Sequence, residues 1–172
     1  MIPIINFKTL NSASTLRTLD SACRNWGAFY LVEHNLSGDL RNNLFNEMVA
    51  LFSSNNLDKQ LLSRTQEQPW GFYNKELTKN KVDLKEIYDL GNLPEDEANI
   101  PWPVHLALFK KITTEYYQKC QALSMEILAA MAKNLGVSNG SIQSPFMEHA
   151  TSFLRLNYYP AQELIGNQLD SN

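Results

Sequence analysis

Few side chains in this sequence stand where their type and spacing would support chemistry. His34 sits at a turn, His105 in the first turn of a helical stretch and His149 ahead of a strand; isolated histidines of this kind serve as surface or satisfied structural residues. Cys23 and Cys120 are far apart, each inside a helical pattern where a thiol packs as a small hydrophobe, so no disulfide is expected. Glu95-Asp96-Glu97 is a short acidic loop that water solvates. No phosphate-cradling glycine loop, Cys-x-x-Cys pair or Gly-x-Ser-x-Gly elbow is present. There remains Leu154-Arg155-Leu156-Asn157-Tyr158-Tyr159-Pro160, where an alternation of two puts Arg155, Asn157 and Tyr159 on one strand face and Leu154, Leu156 and Tyr158 on the other. A polar row like this is either a cavity wall or a solvated face, and a tyrosine in a β-rich run is commonly a core residue with a wet hydroxyl.

The elements that must carry this row follow from periodicity. Ile2 to Phe7 is short and β-branched, with Pro3 near its start, as an edge strand allows. Ser12 or Ser14 caps a helix with Leu16, Leu19, Ala22, Cys23 and Trp26 on one stripe, Gly27 stops it, and Ala28 to Val32 continues as a strand. Ser37 and Asp39 open a second helix carrying Leu40, Leu44, Met48, Leu51 and Phe52; a shorter one covers Asp58 to Ser63. Trp70 to Tyr73 and Ile87 to Leu90 read as short strands between Pro69, Gly71 and Gly91. Pro103 is expected at the first position of a long scaffold helix closed by Gly136, with Leu106, Phe109, Ile112, Tyr116, Cys120, Leu123, Ile127, Met131 and Leu135 as its buried stripe. Thr151 to Tyr159 is a strand running into Pro160. The fold class is mixed α/β (α+β).

Composition narrows the function. Of 172 residues, 44% are hydrophobic and 10% aromatic, enough for one sizeable core. Fifteen basic residues against 18 acidic ones form no basic stripe, which argues against nucleic acid as a partner. The apolar runs fall far short of the ~20 residues of a membrane span. The Met1-Ile2-Pro3 start lacks the features of a secretory signal, so a cytoplasmic location is expected.

The order of the elements carries residues that resemble one family, the isopenicillin-N-synthase-like non-haem Fe(II), 2-oxoglutarate-dependent oxygenases. Ile2-Pro3-Ile4-Ile5-Asn6-Phe7 is similar to that family's opening strand, with Asn6 where Asp is usual. Ala22 to Val32 resembles its helix-to-strand stretch, with Ala28 in place of Phe. Glu33-His34-Asn35 stands where Asn-His-Gly is usual, and Asn35 tolerates the left-handed turn. Trp70-Gly71-Phe72-Tyr73, Asp83 to Gly91 and Ile100-Pro101-Trp102-Pro103 resemble further landmarks in the expected order. Leu154 to Pro160 is similar to the strand that enters the family's double-stranded β-helix, or jelly-roll, barrel.

The resemblance implies a domain division, a cosubstrate and a metal. Residues 1–150 match the N-terminal domain, and 151–172 match the start of a barrel that is cut off. Tyr159 matches the tyrosine that donates its hydroxyl to the distal carboxylate of 2-oxoglutarate, Asn157 an asparagine beside that cosubstrate, and Arg155 a substrate-facing position. In the family Fe(II) is held by His-x-Asp and a distant His, a set that leaves positions open for oxygen and cosubstrate. None of the three histidines here has an acidic residue two positions on, and no Arg-x-Ser is present to clamp the cosubstrate. Both motifs are expected downstream, so this chain alone is expected to be inactive and to hold no iron. The expected partner of the complete protein is a small-molecule substrate. The alternative is a non-enzymatic binding module, which would have to cover apolar surface that the barrel otherwise buries, or associate through it.

Overall fold

The computed structural model describes residues 1–91, 93, 95–148 and 152–161. Strand β1 (Ile4–Asn6) runs through a 3-10 turn into α1 (Ala13–Asn25), and β2 (Tyr30–Val32) returns to pair with β1 in parallel. Helices α2 (Gly38–Phe52) and α3 (Asn56–Leu61) follow, then β3 (Gly71–Tyr73), the hairpin β4 (Leu77–Thr78) and β5 (Lys81–Val82), and β6 (Glu86–Gly91). Helix α4 (Phe109–Leu135), α5 (Asn139–Glu148) and β7 (Phe153–Tyr158) come next. Strands β3, β6 and β7 form one antiparallel sheet in that order.

Local chemistry sets the helix ends. The side chains of Ser12, Ser37 and Asn55 accept from the backbone N–H groups of Thr15, Leu40 and Asp58 at 3.2, 3.1 and 2.9 Å, each satisfying a donor that has no partner within its helix. Gly136 ends α4 in the left-handed region at φ 68°, where Val137 N–H reaches back to the Ala132 carbonyl at 3.1 Å.

The 27-residue helix α4, about 40 Å long at 1.5 Å per residue, spans two apolar clusters. At its first end Phe109 and Tyr117 pack with Leu44, Leu51, Phe52 and Ile100, together with Phe72, Tyr88, Leu90 and Leu156 from the sheet. Toward its far end Ala130 packs with Ile5, Leu10 and Leu19. One helix thus ties the three-stranded sheet to the β1–α1 unit.

Several expectations are corrected. Pro103 does not begin α4: Trp102 donates its Nε1 proton to Glu97 O at 3.2 Å and meets Phe109 edge-on, so residues 101–108 pass through separate turns before the helix starts. His105 accordingly lies ahead of the helix. Leu135 is exposed and most of the long stripe is only half-buried, because α4 meets its neighbours chiefly through Phe109, Thr113, Tyr117, Ala130 and Ala132. Cys23 and Trp26 point to solvent rather than into a core. The left-handed residue near His34 is Glu33, at φ 57°, not Asn35. Thr151 and His149 fall outside the described residues, as do residues 162–172.

Candidate functional site

The antiparallel register decides which side chains meet. Tyr88 opposes both Phe72 and Leu156, and Leu90 opposes Leu154; these face the helices and form the apolar layer. On the other face Asp89 lies between Gly71 and Arg155, Ile87 between Tyr73 and Asn157, and Gly91 opposite Phe153. Arg155 and Asn157 therefore share the face opposite that apolar layer. Tyr159 stands just past the strand end and is 67% exposed.

Asp89 is 3% exposed, and a carboxylate so far from water needs matched donors. Arg155 supplies two, with Nε to Oδ1 and Nη2 to Oδ2, both at 2.8 Å. Arg64 Nη1 approaches Oδ2 at 3.5 Å while its guanidinium stacks 3.7 Å from the Tyr73 ring centroid. A local crossing brings Arg64 here: Phe72 N–H donates to Leu62 O at 2.7 Å and Arg64 N–H to Phe72 O at 3.1 Å. Gly71 is required at that crossing, since a Cβ there would lie 2.2 Å from Leu62 O and φ is +110°. At Gly91 a Cβ would meet the Trp70 ring, 2.3 Å from Cη2, a side-chain contact on a backbone that is not left-handed.

A second carboxylate extends the network. Glu76 Oε1 accepts from Arg155 Nη1 at 3.1 Å and Oε2 pairs with Lys85 Nζ at 2.5 Å. The Lys85 hydrogen bond holds the Glu76 carboxyl below its ordinary pKa; burial opposes this, and the charges of Lys85, Arg155 and Arg64 add to it. Because the folded-state pKa is depressed, Glu76 contributes stability above the ordinary Glu range and loses it as pH falls through the lowered value. Glu76→Gln is therefore expected to flatten the acid side of a plot of unfolding free energy against pH. An unchanged acid slope would show that the pair contributes nothing.

The remaining candidates lie elsewhere. His34 Nδ1 accepts from Leu36 N–H at 3.3 Å, and His105 Nε2 shares a 3.0 Å hydrogen bond with Ser54 Oγ. Among the described residues no three His, Cys, Asp or Glu side chains gather where they could hold a metal ion, so these residues do not fit an iron site. The polar face carries the Asn157 amide and the Arg64 and Arg155 guanidinium groups, the latter two paired with Asp89. Sequence reasoning missed Asp89, Glu76, Arg64 and Lys85. Asp89 carried a usable signal, one charge inside the apolar run Ile87-Tyr88-Asp89-Leu90, which demands a partner.

A family model described as the N-terminal domain of a non-haem dioxygenase in morphine synthesis matches residues 2–106. The chain is 30% identical to 1-aminocyclopropane-1-carboxylate oxidase 1 of Cucumis melo over 152 residues, which are 85% of this chain and 46% of that protein. It superposes on a full-length Neurospora crassa protein, solved in complex with alpha-KG, at a TM-score of 0.78 and 25% identity, covering 92% of this chain and 54% of that one. JOX2, solved with 2OG, Fe and JA, superposes at 0.76 and 26% identity, covering 92% and 48%. The chain spans about half the length of the curated relatives it matches.

Proposed function

The chain belongs to the family of non-haem dioxygenase N-terminal domains, and from that premise we propose that it is the N-terminal part of an Fe(II), 2-oxoglutarate-dependent oxygenase acting on a small molecule. The observation that carries this reading is the superposition of 92% of the chain on JOX2, a protein solved with 2OG and Fe. In it, residues 1–150 are the supporting domain and 151–172 open the barrel. Iron ligands come from outside the described residues. Among those residues no helix is long and apolar enough to cross a membrane, and a cytoplasmic location suits the reading.

The reaction class couples oxidative decarboxylation of 2-oxoglutarate to hydroxylation, desaturation or ring closure of the substrate. This chain's own contribution is binding and orientation. The Tyr159 hydroxyl donates to the distal cosubstrate carboxylate, a charge-assisted hydrogen bond that fixes the ligand's direction. Asn157 lies beside that cosubstrate, and Arg155, its side chain one third exposed and its guanidinium held by Asp89 and Glu76, faces the substrate.

The test uses the full-length protein that carries this segment, supplied with Fe(II) and oxygen. It should release carbon dioxide from 2-oxoglutarate. Tyr159→Phe should raise the apparent Kd for 2-oxoglutarate by roughly ten- to a hundredfold, the equivalent of one hydrogen bond to a charged group, with little change in melting. A variant with unaltered 2-oxoglutarate affinity would make Tyr159 a structural tyrosine. A protein that never consumes 2-oxoglutarate, while this segment alone is monomeric and melts cooperatively, would replace the oxygenase reading with the stand-alone module.

A further inference from the structure

Arg64 reaches the polar face from outside the three-stranded sheet, beside Tyr73, and its side chain is 27% exposed. A guanidinium that far withdrawn from water ordinarily finds acceptors for most of its N–H donors. Arg64 has one polar contact, Nη1 to Asp89 Oδ2 at 3.5 Å, beyond the usual length of a hydrogen bond. Among the described residues no acceptor meets its Nε or Nη2. Those nitrogens are not sealed in either. Thr114 Oγ1 is the only buried, partnerless side-chain nitrogen or oxygen among the described residues, so the free donors of Arg64 reach solvent.

Asp89 does not account for Arg64. Both Asp89 oxygens are met by Arg155 at 2.8 Å, through the Nε and Nη2 donors on one edge of that guanidinium. Glu76 is likewise taken, by Arg155 and by Lys85. The stack on Tyr73, 3.7 Å from the ring centroid, orients the Arg64 guanidinium without using its N–H groups. What Arg64 leaves open is its Nε–Nη2 edge, the same edge with which Arg155 grips Asp89, and two parallel donors match the two oxygens of a carboxylate. We propose that Arg64 is a specificity-determining residue whose open edge receives a carboxylate of the substrate, which makes that substrate an organic acid. This deepens the oxygenase reading and rests on Arg155 facing the substrate, because Asp89 Oδ2 holds the two guanidinium groups side by side.

The experiment is an NMR titration of the arginine Nε–H resonances in the full-length protein, loaded with 2-oxoglutarate and with Zn(II), a diamagnetic stand-in for iron, so that the cosubstrate's place is filled. Arg64→Lys identifies the Arg64 resonance by its loss. Should that variant not fold, through-space contact with the Tyr73 ring identifies the resonance in the wild type. Benzoate is expected to shift the Arg64 resonance saturably and several-fold further than those of the exposed Arg17 and Arg41, with Arg155 unmoved. Benzamide, similar in shape but uncharged, is expected to shift none of them. A response at Arg64 no larger than at Arg17 and Arg41, an equal response to benzamide, or a response at Arg155 instead overturns the proposal and leaves the oxygenase reading intact. That reading falls if the full-length protein, with Fe(II) and oxygen, never consumes 2-oxoglutarate, and the substrate assignment then falls with it whatever Arg64 binds.

Discussion

Phe109→Ala is expected to remove about 3 to 5 kcal/mol of unfolding free energy, the range for deleting a large aromatic side chain from a closed core. Phe109 is fully buried, edge-on to Tyr88 at 5.3 Å and to Trp102 at 6.5 Å between centroids. Emptying the site exposes a cavity to three elements at once: α4, β6 and the turns of residues 101–108. Tyr88 cannot swing into the space freely, because its hydroxyl donates to Pro101 O at 3.0 Å. Urea denaturation of the two proteins checks this, and a loss under about 1 kcal/mol would show that the site collapses or was never closed. Leu123 belongs to the same sequence stripe but is only half-buried, so Leu123→Ala should cost less, about 1 to 2 kcal/mol.

Arg155→Leu is expected to cost about 2 to 3 kcal/mol. The loss arises less from the missing attraction than from the Asp89 carboxylate, whose side chain is 5% exposed and which is left with Arg64 at 3.5 Å in place of a bidentate partner. Breaking a buried pair from one side costs about 3 to 5 kcal/mol. Arg155 is a third exposed, so water already screens part of the pair and the lower figure applies. The diagnostic is the double variant: Asp89→Leu with Arg155→Leu removes the stranded charge and should recover most of the stability. Additive losses in the double variant would mean that the two residues do not act as a pair.

The architecture was legible where one local rule decided the outcome. A serine cap for α1, which the structure settles as Ser12 rather than Ser14, Ser37 with Asp39 at the start of α2, Gly136 as a left-handed stop and the alternation through Leu156 all depend on neighbours in sequence, and the structure follows them. The start of α4 was not legible, since Pro103 is acceptable at a first helical position and the contacts that Trp102 makes instead, with Glu97 O and Phe109, join residues that no local pattern links. The β4–β5 hairpin was missed for a different reason. Its turn uses Lys79 and Asn80 at φ 51° and 61°, where glycine is the usual marker. Helix α5 was missed as well, because Pro145 stands inside it where proline ordinarily breaks a helix.

Within the candidate site, strand alternation places Arg155 and Asn157 on one face, and the family resemblance supplied Tyr159 a role. Neither route supplied partners. Arg155 lies 66 residues from Asp89 and 79 from Glu76, and side-chain pairing over such separations is fixed by strand register, which no local pattern records.

That separation also has a consequence during synthesis. Strand β6 is the middle strand of its sheet, yet its β7 partner leaves the ribosome 66 residues later, with α4 and α5 in between. At about 5–20 residues per second the wait is roughly 3 to 13 s. Through that interval the nascent chain can pair β6 with β3 alone, and Asp89 has no Arg155 to meet it. The charge that later locks the two strands together keeps the waiting strand polar in the meantime, a guard against premature association with other chains.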